Sequence, residues 1–422
     1  MNQPSTSRAA PAWLSGREAA AFLGVKRETL YAYASRGLVR SEAGAEGRGR
    51  RYRREDLERL KARSDARAGH GPVAAGALRW GEPVLESALT AIDEVGPRYR
   101  GHAAVKLAEQ SSFEAVAELL WTGTLPEERP AWRAPGLGLK AAPLAAMLPE
   151  RCHPLTALSL AVPAIGAGDP GRFDASPEAE KKRARALILR MAALIGFAGG
   201  GVAAAREAVA AETVARAALI GLGARPTARA ERAVDRALVL IADHELNASS
   251  FTVRVAASAR ADLYACVSAG LATLSGPRHG GMCDRVEALV AETKHAERAR
   301  AVVEDRTRSG AGVPGFGHPL YPHGDPRAES MIAAAMDLGP RNPGVMTLMA
   351  LVEAMRALGH EPPTSDIGLV GVTLALGLPP GSAAALFALG RAAGWVAHAF
   401  EQRESESLLR PRARYVGPPA AP

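Results

Sequence analysis

Apolar side chains recur every three or four positions along most of this chain, and stretches of alternating apolar and polar residues are scarce. That period marks helices with one buried face, so the pattern predicts a mainly helical protein. The first helix opens at Ser15, with Glu18 three residues on: a hydroxyl that can cap a backbone N–H and a carboxylate that can reach back. Ala19, Ala20, Phe22 and Leu23 form its apolar side, and Gly24 breaks it. A second helix begins near Lys26, shows Leu30, Tyr31 and Ala34 on one side, and ends at Gly37 after Arg36. Two short helices around a glycine-containing turn form a helix-turn-helix pattern. A glycine- and arginine-rich stretch follows, GAEGRGRRY from Gly44 to Tyr52, and Glu55 and Asp56 then suit another helix start.

Residues 64–76, SDARAGHGPVAAG, have no period and read as a linker. From about Leu78 onward helical periodicity continues, with no internal repeat of fixed length. The longest apolar run, Met191 to Ala205, is closed by Arg190 and Arg206 and contains Gly199 to Gly201. It is too short to span a bilayer and predicts a buried helix followed by a turn. No apolar segment follows Met1, so no signal peptide is expected.

A chain of 422 residues exceeds one ordinary core, so two or three domains are expected. Hydrophobic residues make up 47% and charged residues 23%, the balance of a folded soluble protein. Charge is uneven: residues 1–70 hold 15 Lys and Arg against 8 Asp and Glu, hence seven of the chain's eight net positive charges. Attraction to a polyanion is therefore expected at the N-terminal module. Cys152, Cys266 and Cys283 are odd in number and form no C-x-x-C pair. A disulfide framework or zinc site is not expected, and a reducing cytoplasm fits.

Histidines stand in four unusual settings: Asp243-His244-Glu245, His279-Gly280-Gly281, Gly315-Phe316-Gly317-His318-Pro319 and Gly359-His360-Glu361. Glycine beside a histidine allows positive φ or close approach of the backbone to a ligand. Asp325-Pro326-Arg327 follows His318 closely. Arg391 lies in the apolar stretch ALFALGRAAGWVAHAF, where a guanidinium needs either an anionic ligand or a structural acid. Arg410 lies in LLRPRARY near the C-terminus, where a solvated tail is the plain alternative.

These residues carry two resemblances. LSGREAAAFLGVKRETLYAYASRGLV with RRYRREDLERL resembles the MerR and excisionase type of winged helix. It implies that the second helix enters a major groove and that a wing from Arg48 to Arg54 meets phosphates. The nucleic-acid contacts implied are Lys26, Arg27, Arg48, Arg50, Arg51 and Arg53. A helical appendage used for assembly is the alternative. Residues 75–417 resemble citrate synthase through GPRYRG at 96–101, SSFEAVAELLWTGTLP at 111–126, DHELNASSFTVR at 243–254, SGPRHGGMCDRV at 275–286, PGFGHPLYPHGDPRAE at 314–329 and LFALGRAAGWVAHAFEQ at 386–402. The motifs occur in the family's order, and the separation of Asp366 from Arg391 matches bacterial members.

The resemblance implies an all-α fold: large and small citrate synthase-like helical domains preceded by a small winged-helix module. The divisions expected are 1–68 for the module, 75–281 with 368–422 for the large domain, and 282–367 for the small one. It implies condensation of acetyl-CoA with oxaloacetate and water to citrate and coenzyme A. Coenzyme A is then a substrate, and no bound cofactor or metal is expected. His279 would donate to the thioester oxygen, Asp366 would remove the methyl proton, and His318 would donate to the oxaloacetate carbonyl. His244, Arg327, Arg391 and Arg410 would hold carboxylates, with Arg410 reaching into the partner of a homodimer. Two alternatives stand: 2-methylcitrate synthesis from propionyl-CoA, and a DNA-binding regulator whose body senses a metabolite. No membrane partner is expected.

Four positions depart from the common pattern. Pro322 stands where many members have Lys or Arg, Leu369-Val370 replaces a Ser-Gly pair, Cys283 replaces a small polar residue, and Ile241 replaces a histidine. Together they imply a divergent branch with an altered acyl-CoA or keto-acid preference.

Overall fold

The Ser15–Glu18 capping box forms: Ser15 N–H donates to the Glu18 carboxylate at 2.9 Å and Glu18 N–H to Ser15 Oγ at 3.3 Å. In this computed structural model the residues described are 13–23, 25–35, 38–43, 50–58, 60, 85–93, 95–149, 152–197, 201–411, 413 and 417–418. The chain divides into two compact units, Met1–Glu86 and Ser87–Pro422. In the first unit, β1 (Trp13–Ser15) leads into α1 (Gly16–Leu23) and α2 (Arg27–Ser35). β2 (Ser41–Ala43) and β3 (Arg50–Arg53) follow, and the sheet order is β1-β3-β2, antiparallel throughout. Leu14 and Ser41 flank Tyr52 in register, and Leu14, Ala19, Leu30, Tyr52 and Leu57 close a small apolar core. Asp56, in a helical stretch at 54–58, accepts from the Arg40 amide at 2.9 Å and from its guanidinium at 2.7 and 2.8 Å. This pair fixes the start of the β2–β3 hairpin against that helix. Gly24, Arg36, Gly37, Arg48 and the linker at 64–76 lie outside the described residues.

The second unit opens with a feature the apolar pattern did not predict. β4 (Thr90–Asp93), β5 (Gly96–Tyr99) and β6 (His102–Ala103) make an antiparallel meander. These strands are too short to show a period of two. Tyr99 is buried, and its Oη lies 3.1 Å from the carbonyl oxygens of both Leu240 and Asp243. The meander thereby fastens the Asp243-His244-Glu245 turn.

The rest of the unit is helical. Its axis is the Ser382–Glu404 helix, in which residues 382–399 are all buried. At 23 residues it is long and apolar enough to cross a membrane, yet 94% of its apolar window lies inside the protein, as in a central core helix. Helices Phe113–Thr122, Ala228–Ile241, Ala248–Ser258 and Leu263–Leu274 pack around it. Gly394 is required here: a Cβ would sit 2.4 Å from Asp243 Oδ1 and 2.5 Å from the Ala242 carbonyl. The apolar run 191–205 ends the buried Pro177–Leu194 helix, continues through buried Ile195 and Phe197, and enters a second helix at Gly201. The three cysteines are free and buried.

Candidate active site

Four turns or loops, each leading into a helix, supply the site. The first is the Asp243–Asn247 turn, where Glu245 adopts φ +54° and Asn247 caps the Ala248–Ser258 helix through Ser249 N–H at 3.1 Å and Ser250 N–H at 3.2 Å. His244 is buried, and its Nε2 lies 2.8 Å from Tyr321 Oη. Its ring stands edge-on to His318 at 5.4 Å between centroids. Burial, reinforced by the charges of Arg327 and Arg391, holds the His244 ring well below the usual histidine range, hence neutral.

The second loop carries His318 and is paired with the segment before Asp366. Thr364 N–H donates to the Gly315 carbonyl at 2.8 Å, Gly317 N–H to Pro362 at 2.9 Å, and Phe316 bridges Pro363. Gly315 has φ +86°, and a Cβ there would strike Val286 at 2.6 Å and Ile367 at 2.7 Å. Leu320 N–H donates to His318 Nδ1 at 3.2 Å, so the neutral ring carries its hydrogen on Nε2. Burial and Arg327 lower this histidine too.

Asp366 starts the Ser365–Ala375 helix. Its Oδ1 accepts from Cys283 Sγ at 3.2 Å and its Oδ2 from Thr364 Oγ1 at 3.0 Å. The residue as a whole is half-buried, and burial of its carboxyl raises it above the ordinary aspartate value, with those two donors pulling the other way. His279 precedes the Gly281–Thr293 helix that carries Cys283. His279 Nε2 lies 2.9 Å from Ser249 Oγ, and Trp395 Nε1 donates to the same oxygen at 3.1 Å. Burial, then Arg391, lowers His279 to about 4.

Two buried guanidinium groups face this cluster. Arg327 forms a two-pronged pair with Asp325 at 2.9 and 2.8 Å and lies over the Tyr321 ring. Arg391 donates from Nε to the Ile241 carbonyl at 2.8 Å, lies over Phe387, and forms no ion pair among the described residues. Burial lowers it to about 10. An arginine destabilised in this way favours an incoming anion. Arg410 is exposed and joins no hydrogen bond or ion pair with the cluster among the described residues; its neighbour Leu409 is fixed to Ser258 Oγ at 3.1 Å. His360 is directed at Thr307 Oγ1, 3.5 Å away, and stands apart from the cluster. No group of three or more His, Cys, Asp or Glu placed to hold a metal occurs among the described residues.

Comparison with known proteins fits this arrangement. The profile of the family described as citrate synthase, C-terminal domain, matches residues 77–412. The chain belongs to the citrate synthase family. A helix-turn-helix domain profile matches residues 13–65. The chain is 30% identical to citrate synthase 2 of Bacillus subtilis over 347 residues, 79% of this chain and 93% of that one. It is also 30% identical to 2-methylcitrate synthase 2 of Corynebacterium glutamicum over 353 residues, 78% of this chain and 92% of that one. Among solved structures it resembles the citrate synthase of Thermoplasma acidophilum in ternary complex with carboxymethyl coenzyme A and oxaloacetate. That likeness has a TM-score of 0.71 at 27% identity and covers 82% of this chain and 97% of that one. The citrate synthase of Pyrobaculum aerophilum is similar at a TM-score of 0.68 and 27% identity, over 81% and 92% of the two chains.

Several members of this citrate synthase-type cluster escaped the sequence reading. Ser249, Tyr321 and the Cys283–Asp366 contact join residues far apart in the chain. Ser249 and Tyr321 stood inside quoted motifs without a role, and the fold supplies one. Of the departing positions, Ile241 gives its carbonyl to Arg391, Leu369 and Val370 are buried in the core, and Pro322 is exposed. In the helix-turn-helix unit, Arg50 is exposed, while Arg51 pairs with Glu42 at 2.8 Å and Arg53 with Glu55 at 3.2 Å. Lys26 and Arg27 lie at the start of α2 and form no ion pair among the described residues.

Proposed function

We propose that this chain condenses a short acyl-CoA thioester with oxaloacetate, acetyl-CoA giving citrate and free coenzyme A after hydrolysis. The observation that carries the reading is the convergence of Arg327 and Arg391, two buried guanidinium groups, with His244, His318 and His279 in neutral form. Planar guanidinium forks match carboxylates, and oxaloacetate is a dianion. His244 would add a contact to it. Neutral histidines suit donation to a carbonyl without first losing a charge.

Asp366 is the assigned base. A thioester methyl is a very weak acid, so a donor must stabilise the oxyanion as the proton leaves, a contribution of roughly 3–4 kcal/mol. His279 is assigned that role from Nδ1, which requires its Nε2 to accept a hydrogen from Ser249. Ser249 Oγ lies 2.7 Å from Asn247 Oδ1 and 2.9 Å from His279 Nε2, so the role requires its one hydrogen to turn from Asn247, which keeps two backbone N–H donors, to His279. The enol carbon would then attack the oxaloacetate ketone carbon. The hydrogen on His318 Nε2 would stabilise the alkoxide, and water would cleave the citryl thioester. The segment 282–367 is assigned to a smaller domain that closes over oxaloacetate and shields the thioester. Arg410, exposed in the single chain, is assigned to the neighbouring site of a homodimer. The free, buried cysteines support a reducing, cytoplasmic setting.

Incubation of the purified protein with oxaloacetate and acetyl-CoA or propionyl-CoA, with product identification by mass, tests the reading. Citrate or 2-methylcitrate supports it, and the rate ratio names the preferred thioester. Neither product from folded protein would refute it. A second reading rests on the N-terminal unit: its basic excess, with Lys26, Arg27 and Arg50 unpaired among the described residues, supports contact with DNA. Loss of binding with rising salt in a polarization assay supports that contact, and no salt-dependent binding refutes it.

A further inference from the structure

We propose that Cys283 is a positioning residue for Asp366: its thiol donates to Oδ1 while Thr364 donates to Oδ2, so that the carboxylate is aimed and kept ionised by two neutral donors. The inference rests on the reading of Asp366 as the base. The thiol is fully buried, 3.2 Å from Oδ1, on the first turn of the helix that follows His279. Thr364 Oγ1 is 3.0 Å from Oδ2 and belongs to the segment paired with the His318 loop. The two donors thus tie the base to both histidine-bearing loops.

Each oxygen keeps a further lone pair for the substrate proton. The groups facing Asp366 are Cys283, Thr364, Arg327 and Asp325; those facing the thiol are Asp366, Glu287 and Asp284. Burial and these carboxylates keep the thiol protonated, so it donates and does not compete for the proton. Without the thiol the carboxylate loses one of two hydrogen bonds that offset its desolvation.

The test is the pH dependence of kcat at saturating substrates for Cys283→Ala, Cys283→Val and Cys283→Ser. The alanine and valine variants should move the acid limb upward by roughly one pH unit. Their KM for oxaloacetate should stay within about twofold, and serine, which keeps a donor, should restore the limb. Thr364→Val should shift it in the same direction. An unmoved limb in folded Cys283→Ala or Cys283→Val would overturn the proposal. The infrared S–H stretch of the native protein gives a readout that needs no folded Cys283 variant of low stability. A band shifted by hydrogen bonding that reverts in Asp366→Ala is expected, and an unshifted band overturns the proposal. Asp366→Asn, run in parallel, isolates the underlying reading: if it keeps turnover, the base assignment fails whatever Cys283 does.

Discussion

Asp325 Oδ2 accepts the backbone N–H of Ser365 at 3.1 Å. The same carboxylate holds Arg327 by two hydrogen bonds and caps its helix through the Arg327 amide at 3.0 Å. One buried acid therefore joins a proposed substrate arginine to the helix start that presents Asp366. Asp325→Asn should raise KM for oxaloacetate and lower kcat together, because both elements lose their shared anchor. Breaking a buried pair also costs about 3–5 kcal/mol, so the melting temperature should drop. Unchanged kcat alongside a raised KM would show that the Ser365 link does not serve the base.

A second relay lies behind His244. Arg254 Nε donates to His398 Nδ1 at 3.0 Å, which leaves the ring hydrogen on Nε2, 3.2 Å from Asp243 Oδ1. Thr90 donates to the other oxygen at 2.6 Å. His398→Leu should remove one neighbour each from buried Asp243, which keeps Thr90, and buried Arg254, which keeps Glu401 and Gln402, lower stability and raise KM for oxaloacetate. Steady-state kinetics with a thermal melt check both. A destabilised variant with native KM would make the relay structural only.

Asp366→Ala should lower kcat by about 10²–10⁴-fold, the usual contribution of a positioned base, while far-ultraviolet circular dichroism stays native. In the native protein, turnover should fall as pH drops through the raised Asp366 value, since only the carboxylate accepts the methyl proton. A pH–rate profile gives that limb directly, and a limb at the ordinary aspartate value would contradict the raised one.

Asp235 offers a stability test away from the site. Burial, then the nearby Glu114 carboxylate, pushes it up to about 7. The unfolded chain releases that proton near pH 4, whereas the folded chain keeps it to about pH 7. The folded form therefore binds more protons within that window, and this group's contribution to stability falls as pH rises through it. Asp235→Asn should flatten the dependence of the melting temperature between about pH 5 and 8, relative to the native protein.

In the N-terminal unit, Arg50→Ala should reduce the salt slope of DNA binding by about one and weaken binding to all sequences alike. Removing residues 1–70 should leave thiol release nearly unchanged. Titrations at several salt concentrations and a simple rate comparison measure these outcomes.

What the sequence made legible was local. The Ser15–Glu18 box and the glycine-framed His279 and His318 depend on neighbours within a few residues. The meander at 90–103 was not legible, because four-residue strands built from Thr-Ala-Ile-Asp and Gly-Pro-Arg-Tyr show no alternation. Nor were the contacts of Cys283 with Asp366, His398 with Asp243, or Ser249 with His279. Each spans tens to hundreds of residues and exists only once the Ser382–Glu404 helix and the two histidine loops have packed. Arg391 was recognised as needing a partner, but its Ile241 carbonyl is a backbone group that no side-chain pattern reveals.

The most direct measurement is thiol release from acetyl-CoA or propionyl-CoA, with and without oxaloacetate, by the native protein and by Asp366→Ala. The account predicts release that requires oxaloacetate and collapses in the variant. Release that ignores oxaloacetate, or that survives in Asp366→Ala, would contradict it.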